Sequence, residues 1–318
     1  MSPSVFNDLL KAVPHALLAD YTTFRLGGPC RFLLECQTPE EVQRAVARLA
    51  AEQTPFVLIG GGSNLVFSDF GLNAVVIRYV SPSPIIERNN DDVTVSGGTS
   101  LDALALYTVD EGLEGFVYTT GIPGTVGGAV VGNAGAWGKQ VGDVLKSAVI
   151  LDKQGKTKTV GPDYFGFTYR HSRLKETNEI VLSVTFGLAP GDPIKLATER
   201  ADILKLRAEK HPDMNAFPCA GSFFRNVEPT SKAERRQAAG YFLEEAGAKN
   251  LKVGGAQIFD KHANIILKGP GCTAQNVYDL HLQMIAIVRE KFGFDLNREV
   301  RFAGKFANAP QADEQGFW

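Results

Sequence analysis

Between Gly121 and Gly138 the chain reads GIPGTVGGAVVGNAGAWG, which places glycine at 121, 124, 127, 128, 132, 135 and 138. Glycine loses more conformational freedom on folding than any other residue, so this density needs a compensating return. The usual return is backbone that turns sharply and lies close against a ligand. A second loop, GGGSN at Gly60 to Asn64, follows the apolar run Phe56-Val57-Leu58-Ile59. Two such loops imply backbone amides from separated segments converging on one large anionic cofactor. The competing reading is a set of tight turns and close-packed strands with no ligand.

A dinucleotide fold would put G-x-G-x-x-G at the opening of an amphipathic helix. Here GGGSN runs into Leu65-Val66-Phe67, an apolar run that predicts another strand. No helix N-terminus follows that loop, so phosphate would be held by loop amides from the two segments, with Ser63 and Asn64 adding side-chain donors.

Local signals predict the surrounding elements. Thr38-Pro39-Glu40-Glu41 is a capping box with proline at the first helical position, and Val42, Ala45, Val46, Leu49 and Ala50 fall on one face of the helix behind it. Strands are expected at Phe56–Ile59, Ala74–Ile77 and Val93–Val95, near Ser147–Leu151, and at Ile180–Leu188. A helix from about Ser100 stops at Gly112. The segment Ala189-Pro190-Gly191-Asp192-Pro193 reads as a linker. Beyond it come a charged helix from Ile194 towards Lys210, a short helix near Tyr241–Ala246, and a last helix from Thr273 to Gly293. That last helix turns Val277, Leu280, Met284, Ile287 and Val288 inward, and Arg298–Phe302 closes as a strand. The expected fold class is α+β: a cofactor domain over residues 1–190, split near 80, then a smaller α/β domain over 193–304 and a loose tail over 305–318.

Composition narrows the partners. The 33 basic and 35 acidic residues leave a formal charge of -2, which gives no electrostatic signal for nucleic acid. No apolar run reaches the roughly 18 residues of a membrane helix. The N-terminal MSPSVFNDLLKAVPHALL lacks the basic and long apolar regions of a secretion signal. Cys30, Cys36, Cys219 and Cys272 form no C-x-x-C pair, so no metal site is expected, and free thiols suit a reducing compartment. The expectation is a soluble cytoplasmic protein acting on small molecules.

Seven segments carry a resemblance: TFRLGG at Thr23–Gly28, GGGSN, GIPGTVGGAVVGNAGAWG, Tyr169-Arg170-His171-Ser172, AGSFFRN at Ala220–Asn226, VGGA at Val253–Ala256 and NREVRF at Asn297–Phe302. In this order they resemble the UDP-N-acetylenolpyruvoylglucosamine reductase family, over residues 20 to 304. The short connection after Leu188 resembles the branch lacking an insertion there. The resemblance implies an FAD domain of the vanillyl-alcohol oxidase/p-cresol methylhydroxylase type, a C-terminal substrate domain, and a monomer. It also implies a ping-pong reaction. NADPH delivers hydride to FAD and leaves; the enolpyruvyl substrate then takes hydride at its vinyl carbon and a proton at the carbon bearing the carboxylate. FAD contacts carry over to Gly60, Gly61, Gly62, Ser63, Asn64, Gly121, Ile122, Pro123, Gly124, Gly127, Gly128, Asn133, Ala134, Gly135 and Arg301. The catalytic residues become Arg170, Ser222 and Glu299, and the nucleotide half of the substrate meets Trp137, Arg207, Lys210 and Asn226.

The chemistry suits those residues. Hydride addition to an enolpyruvyl ether pushes charge into the carboxylate, and a planar guanidinium at Arg170 binds both oxygens as it grows. A neighbouring carboxylate favours the protonated, hydrogen-bond-donating form of Glu299. Ser222 would supply the proton, which a hydroxyl does only to a strongly basic enolate in a water-poor pocket such as GSFF suggests. From spacing alone the favoured reading makes Arg170 a salt-bridge residue, Glu299 a strand-face ion pair with Arg298 or Arg301, and Ser222 a turn residue; only the ordered resemblance reverses this. Arg207 and Lys210 alone read as a solvated helix face. His171 is not assigned as a base, and Cys219 reads as an inert core thiol. Trp137 stands where the family more usually has tyrosine; its indole N–H donates but cannot accept. The remaining alternatives are another FAD oxidoreductase, a flavin electron-carrier subunit, and a nucleotide-sugar binding module without redox chemistry.

Overall fold

The computed structural model describes residues 11–228 and 236–309; the first ten residues of the segment read for a secretion signal lie outside them. The chain forms two compact units. Among the described residues, one comprises 11–14, 31–61 and 74–207, and the other 15–30, 62–73, 208–228 and 236–309.

In the first unit, helix α1 (Pro39–Ala51) begins at Thr38, whose hydroxyl accepts the Glu41 amide, and it buries Val42, Ala45, Val46 and Leu49 as the periodicity predicts. It packs on a four-stranded sheet in the order Lys11–Pro14, Cys30–Cys36, Leu72–Tyr79, Phe56–Ile59, the last two parallel. A five-stranded antiparallel sheet follows, in the order Thr157–Val160, Leu145–Leu151, Ile180–Gly187, Asp92–Ser96, Ile86–Asn89. Helices α2 (Leu101–Asp110) and α3 (Val126–Gly132) cover it. Sequence reading did not anticipate α3, because three glycines in seven residues make a poor helix former. Gly127 serves packing: a Cβ there would lie 3.0 Å from the Gly97 carbonyl. After the short helix α4 (Leu174–Thr177) comes α5 (Pro193–Lys210).

The expected linker at 189–193 does not divide the units. Ala189–Pro190 pairs with Leu113–Glu114, and Leu196 and Ile203 of α5 share a buried cluster with Val109 and Val117. Burial therefore binds α5 to the first unit as far as Arg207.

The second unit holds α6 (Ala239–Glu245), an antiparallel sheet of Lys252–Val253, Ala256–Phe259 and His262–Lys268, and α7 (Ala274–Phe292). Thr273 and Asn276 cap α7 reciprocally, and Gly293 ends it in the left-handed conformation. Two early segments join this unit. Phe24, Leu26 and Val66 belong to the same core as Phe223, Phe224 and Phe302, and Leu65–Phe67 pairs in parallel with Arg301–Ala303. That strand begins at Arg301, whereas Arg298 makes only an isolated bridge to Phe224. The tail is docked where it is described: Phe306 packs on Phe302 and Tyr278, and the Ala307 amide donates to Gln275 Oε1 at 2.9 Å. Among the described residues no helix is long and apolar enough to cross a membrane.

Candidate functional site

The two glycine loops meet in the first unit. A Cβ on Gly60 would lie 2.5 Å from Thr125 Oγ1, and one on Gly61 would lie 3.4 Å from Gly124 Cα. This is the convergence that the sequence pattern implies. Most amides of the long stretch are already occupied, however. Gly121 donates to Asp102 Oδ1 (2.8 Å), Ile122 to the Thr119 carbonyl (2.9 Å), Gly127 to the Gly97 carbonyl (2.8 Å), Gly128 to Thr125 Oγ1 (3.3 Å) and Ala134 to the Ala129 carbonyl (2.8 Å). Gly135 pairs with Gln140 in a short hairpin, and Pro123 has no amide hydrogen. The N-terminus of α3 is thereby closed as an anion site. Among the described residues, the amides of Gly61 and Gly124 donate to nothing, and in the second unit so does that of Gly62. Open loop amides beside a glycine–glycine contact are the donors a pyrophosphate-bearing cofactor needs, so the residues present fit FAD.

Sequence reasoning missed what holds the Gly121 turn. Arg200 grips Asp102 with both nitrogens at 3.0 Å and Thr120 Oγ1 at 3.0 Å, while Asp102 receives the Gly121 amide. Burial opposes the Asp102 carboxylate, yet Arg200 and that amide together hold its pKa below the ordinary value. Arg200 lies ninety-eight residues from Asp102, and no local pattern announces the pair.

Asn133 and Arg170 also lie in this unit. The Asn133 side chain is buried and committed internally, to Gln140, Thr168 and Gly142, so it has no donor left for a cofactor. Thr168 and His171 close a two-residue turn with reciprocal backbone bonds of 3.2 Å, and Arg170 sits in it at φ 56°. A non-glycine residue held there is an observed strain of the kind that gathers at functional sites. Ser172 is fully buried, and its hydroxyl donates to the Val131 carbonyl at 2.8 Å. His171 Nε2 lies 3.1 Å from Glu176 Oε1 at the surface.

Trp137 tips the hairpin, at φ 49° with Gly138 at φ 82°, and is 57% exposed. Positive φ at both central residues is the mark of a tight hairpin turn. The Arg207 guanidinium lies 5.6 Å from its ring, and a Cβ on Gly121 would lie 2.9 Å from Arg207 Cδ. Arg207 is therefore packed against both, not spread on a solvated face, and its buried Nε has no partner among the described residues. Beside the hairpin, Tyr118, Lys139, Glu199, Asp202, Ile203 and Leu206 line a cleft of about 260 Å³ with Trp137. The buried Tyr118 hydroxyl there has no hydrogen-bond partner among the described residues, and burial pushes its pKa up.

In the second unit, the AGSFFRN segment runs beside the strand His262–Lys268. Ser222 bridges Ile265, and Asn264 exchanges two side-chain bonds with the Phe224 backbone, at 2.9 and 2.8 Å. On its other side the Glu299 amide donates to the Phe223 carbonyl at 2.9 Å. Two of the three expected catalytic residues are thus held on neighbouring backbone. Phe223 and Phe224, next to Ser222 in the chain, are buried in the core of the unit, and Ser222 itself is half-buried. Asn64 Nδ2 donates to the Glu299 carbonyl at 3.1 Å, and the Arg301 amide donates to the Asn64 carbonyl at 3.1 Å. The Asn64 side chain therefore braces the protein where a phosphate contact was expected. Ser63 and Arg301 are half-buried, Asn226 and Lys210 exposed, and Asn226 Oδ1 accepts the Ala239 amide at 3.3 Å. Cys219 is 2% exposed, and burial raises its pKa, as an inert core thiol requires.

This fold and donor set define a flavin-dependent oxidoreductase, and residues 30–161 match the family model described as an FAD binding domain. Residues 211–303 match the model described as UDP-N-acetylenolpyruvoylglucosamine reductase, C-terminal domain. The chain is 33% identical to UDP-N-acetylenolpyruvoylglucosamine reductase from Lactobacillus acidophilus over 298 residues, covering 94% of this chain and 96% of that one. The enzyme of the same name from Gloeobacter violaceus is 35% identical over 298 residues, with 93% and 97% covered. The crystal structure of UDP-N-acetylenolpyruvylglucosamine reductase from Thermus caldophilus matches with a TM-score of 0.74 at 31% identity, over 92% of this chain and 98% of that one. The chain belongs to the UDP-N-acetylenolpyruvoylglucosamine reductase family.

Proposed function

We propose that the protein reduces UDP-N-acetylglucosamine enolpyruvate to UDP-N-acetylmuramate with NADPH, in two successive half-reactions, as a step of peptidoglycan precursor synthesis. The observation that carries the reading is the juxtaposition of AGSFFRN with Glu299, through the 2.9 Å bond from the Glu299 amide to Phe223. Another FAD oxidoreductase on this scaffold would need the glycine loops but not that pairing.

FAD supplies a carrier that takes hydride from NADPH and passes it to the enolpyruvyl vinyl carbon. The chain's own groups do the rest. Gly61, Gly62 and Gly124 offer amides to the cofactor's phosphates, with the other loop residues supplying close carbon contact. Arg301 joins them by resemblance alone. Arg170 binds the substrate carboxylate with both guanidinium branches and stabilises the charge that hydride addition drives into it. Glu299 polarises the same carboxylate, and Ser222 Oγ gives its proton to the carbon that bears it. Trp137 and Arg207, already stacked, present a cationic aromatic surface to the nucleotide half, and Lys210 and Asn226 are exposed for the same task. We further infer a cytoplasmic monomer acting on small molecules only.

An anaerobic absorbance titration of the purified protein tests this. Flavin bands bleached by NADPH and restored only by UDP-N-acetylglucosamine enolpyruvate are the expected result. Bleaching without recovery would keep the flavin and discard the substrate.

A further inference from the structure

We propose that Asn133 is a positioning residue for Arg170, acting through the carbonyl of Thr168; the proposal rests on the role given to Arg170 above. Asn133 ends α3 in the left-handed conformation at φ 43° and is 1% exposed. Its Nδ2 donates to Gln140 Oε1 and to the Thr168 carbonyl, both at 2.9 Å, and its Oδ1 accepts the Gly142 amide at 3.0 Å. Gly142 brings only a donor and the Thr168 carbonyl only an acceptor, so the two ends of the amide cannot be exchanged.

Thr168 is the first residue of the turn that carries Arg170, and that turn is clamped on three sides. Asn133 holds the Thr168 carbonyl, the Val131 carbonyl accepts the Ser172 hydroxyl at 2.8 Å, and Lys175 Nζ donates to the Arg170 carbonyl at 2.7 Å. Two of these three clamps come from the end of α3. Arg170 occupies a backbone conformation that favours glycine, and such strain persists only where the surroundings over-determine it. The glycine-rich stretch therefore does a second job. Its first residues approach the other glycine loop, and Val131 and Asn133, at the end of α3, hold the turn of Arg170. A side chain that the resemblance assigns to the cofactor is fully occupied inside the protein, and one of its bonds holds the turn that presents the substrate-binding arginine.

The test compares holo Asn133→Asp and Ser172→Ala with the native protein. Asn133→Asp keeps the shape and the acceptor for Gly142 but sets a carboxylate oxygen against the Thr168 carbonyl. Ser172→Ala removes the second clamp from a residue with no role in binding. In stopped-flow absorbance, flavin reoxidation by the enolpyruvyl substrate should slow on the order of 10- to 100-fold more than flavin reduction by NADPH, the scale of a small misplacement of a binding group. Independently of turnover, phenylglyoxal labelling of Arg170, followed by peptide mass spectrometry, should accelerate several-fold as the turn loosens. An equal slowing of both half-reactions accompanied by loss of bound FAD would overturn the proposal and return Asn133 to the cofactor. An unchanged rate ratio with unchanged labelling would overturn it as well. If the native flavin is not reoxidised by this substrate, the proposed function fails, while the labelling result still decides whether Asn133 and Ser172 hold Arg170.

Discussion

The side chain of Asn64 holds the backbone of Glu299 across 235 residues of sequence, through a 3.1 Å bond from Nδ2 to the Glu299 carbonyl. The Arg301 amide returns to the Asn64 carbonyl at 3.1 Å, so the last residue of the GGGSN loop brackets the glutamate from both sides. Asn64→Asp keeps the shape but removes the donor and points a charge at that carbonyl. A lost or repelled bond of this type costs about 1 kcal/mol, which lowers the melting temperature of a chain this size by roughly 1–2 °C. The loss should also slow flavin reoxidation by substrate more than flavin reduction by NADPH. A normal melting curve with normal rates would show that the bracket is idle.

Ser222→Ala should leave bleaching by NADPH close to native while slowing reoxidation by the enolpyruvyl substrate about 10²- to 10⁴-fold, the usual range for a removed general acid. Equal slowing of both steps would deprive Ser222 of the proton-donor role.

The glycines of the two loops should separate sharply under alanine substitution. In Gly60→Ala the new methyl meets Thr125 Oγ1 at 2.5 Å, and moving Thr125 breaks its bond to the Gly128 amide. Flavin affinity, followed by fluorescence on dilution, should fall about tenfold or more, a loss near 1.4 kcal/mol. At Gly132, the last residue of α3, a Cβ would find nothing within 4 Å. Gly132→Ala should stabilise by about 0.5–1 kcal/mol in urea unfolding, chiefly by restricting the unfolded chain. Matching losses at both positions would refute the packing argument.

His281 gives a pH prediction. Burial among Phe223, Tyr278 and Phe302 lowers its pKa to about 4, against a bond to the Tyr278 carbonyl that favours the charged form. Because the folded pKa lies below the unfolded value of about 6.5, the unfolded chain takes up the proton first as the pH falls. This histidine's contribution is thus fully present above pH 6.5 and is lost between there and about 4, at up to roughly 1.4 kcal/mol per pH unit. Urea midpoints measured across that window should drop more steeply in the native protein than in His281→Phe. Parallel curves would show that His281 does not titrate as described.

How far the sequence could be read varied with the range of the forces involved. Thr38 and Thr273 announced their helices because caps act over three residues, and the buried faces of α1 and α7 followed from their periodicity. Helix α3 was hidden because three glycines lower its propensity, one of them, Gly127, where the backbone of Gly97 comes close. The Asp102–Arg200 pair was hidden because ion pairing between distant segments leaves no local trace.

The same division governs the site. By itself the sequence determined that two glycine-rich loops flank apolar strands, that Ser222 precedes two core phenylalanines, and which family's motifs the chain carries in order. These are properties of residue type and spacing. Which amides stay open at Gly61, Gly62 and Gly124, and that the Asn64 and Asn133 side chains hold backbone carbonyls, only the tertiary structure decided. A hydrogen-bonding group serves whichever partner the fold brings within about 3 Å, and that distance is set by packing of the whole unit, not by neighbours in the chain.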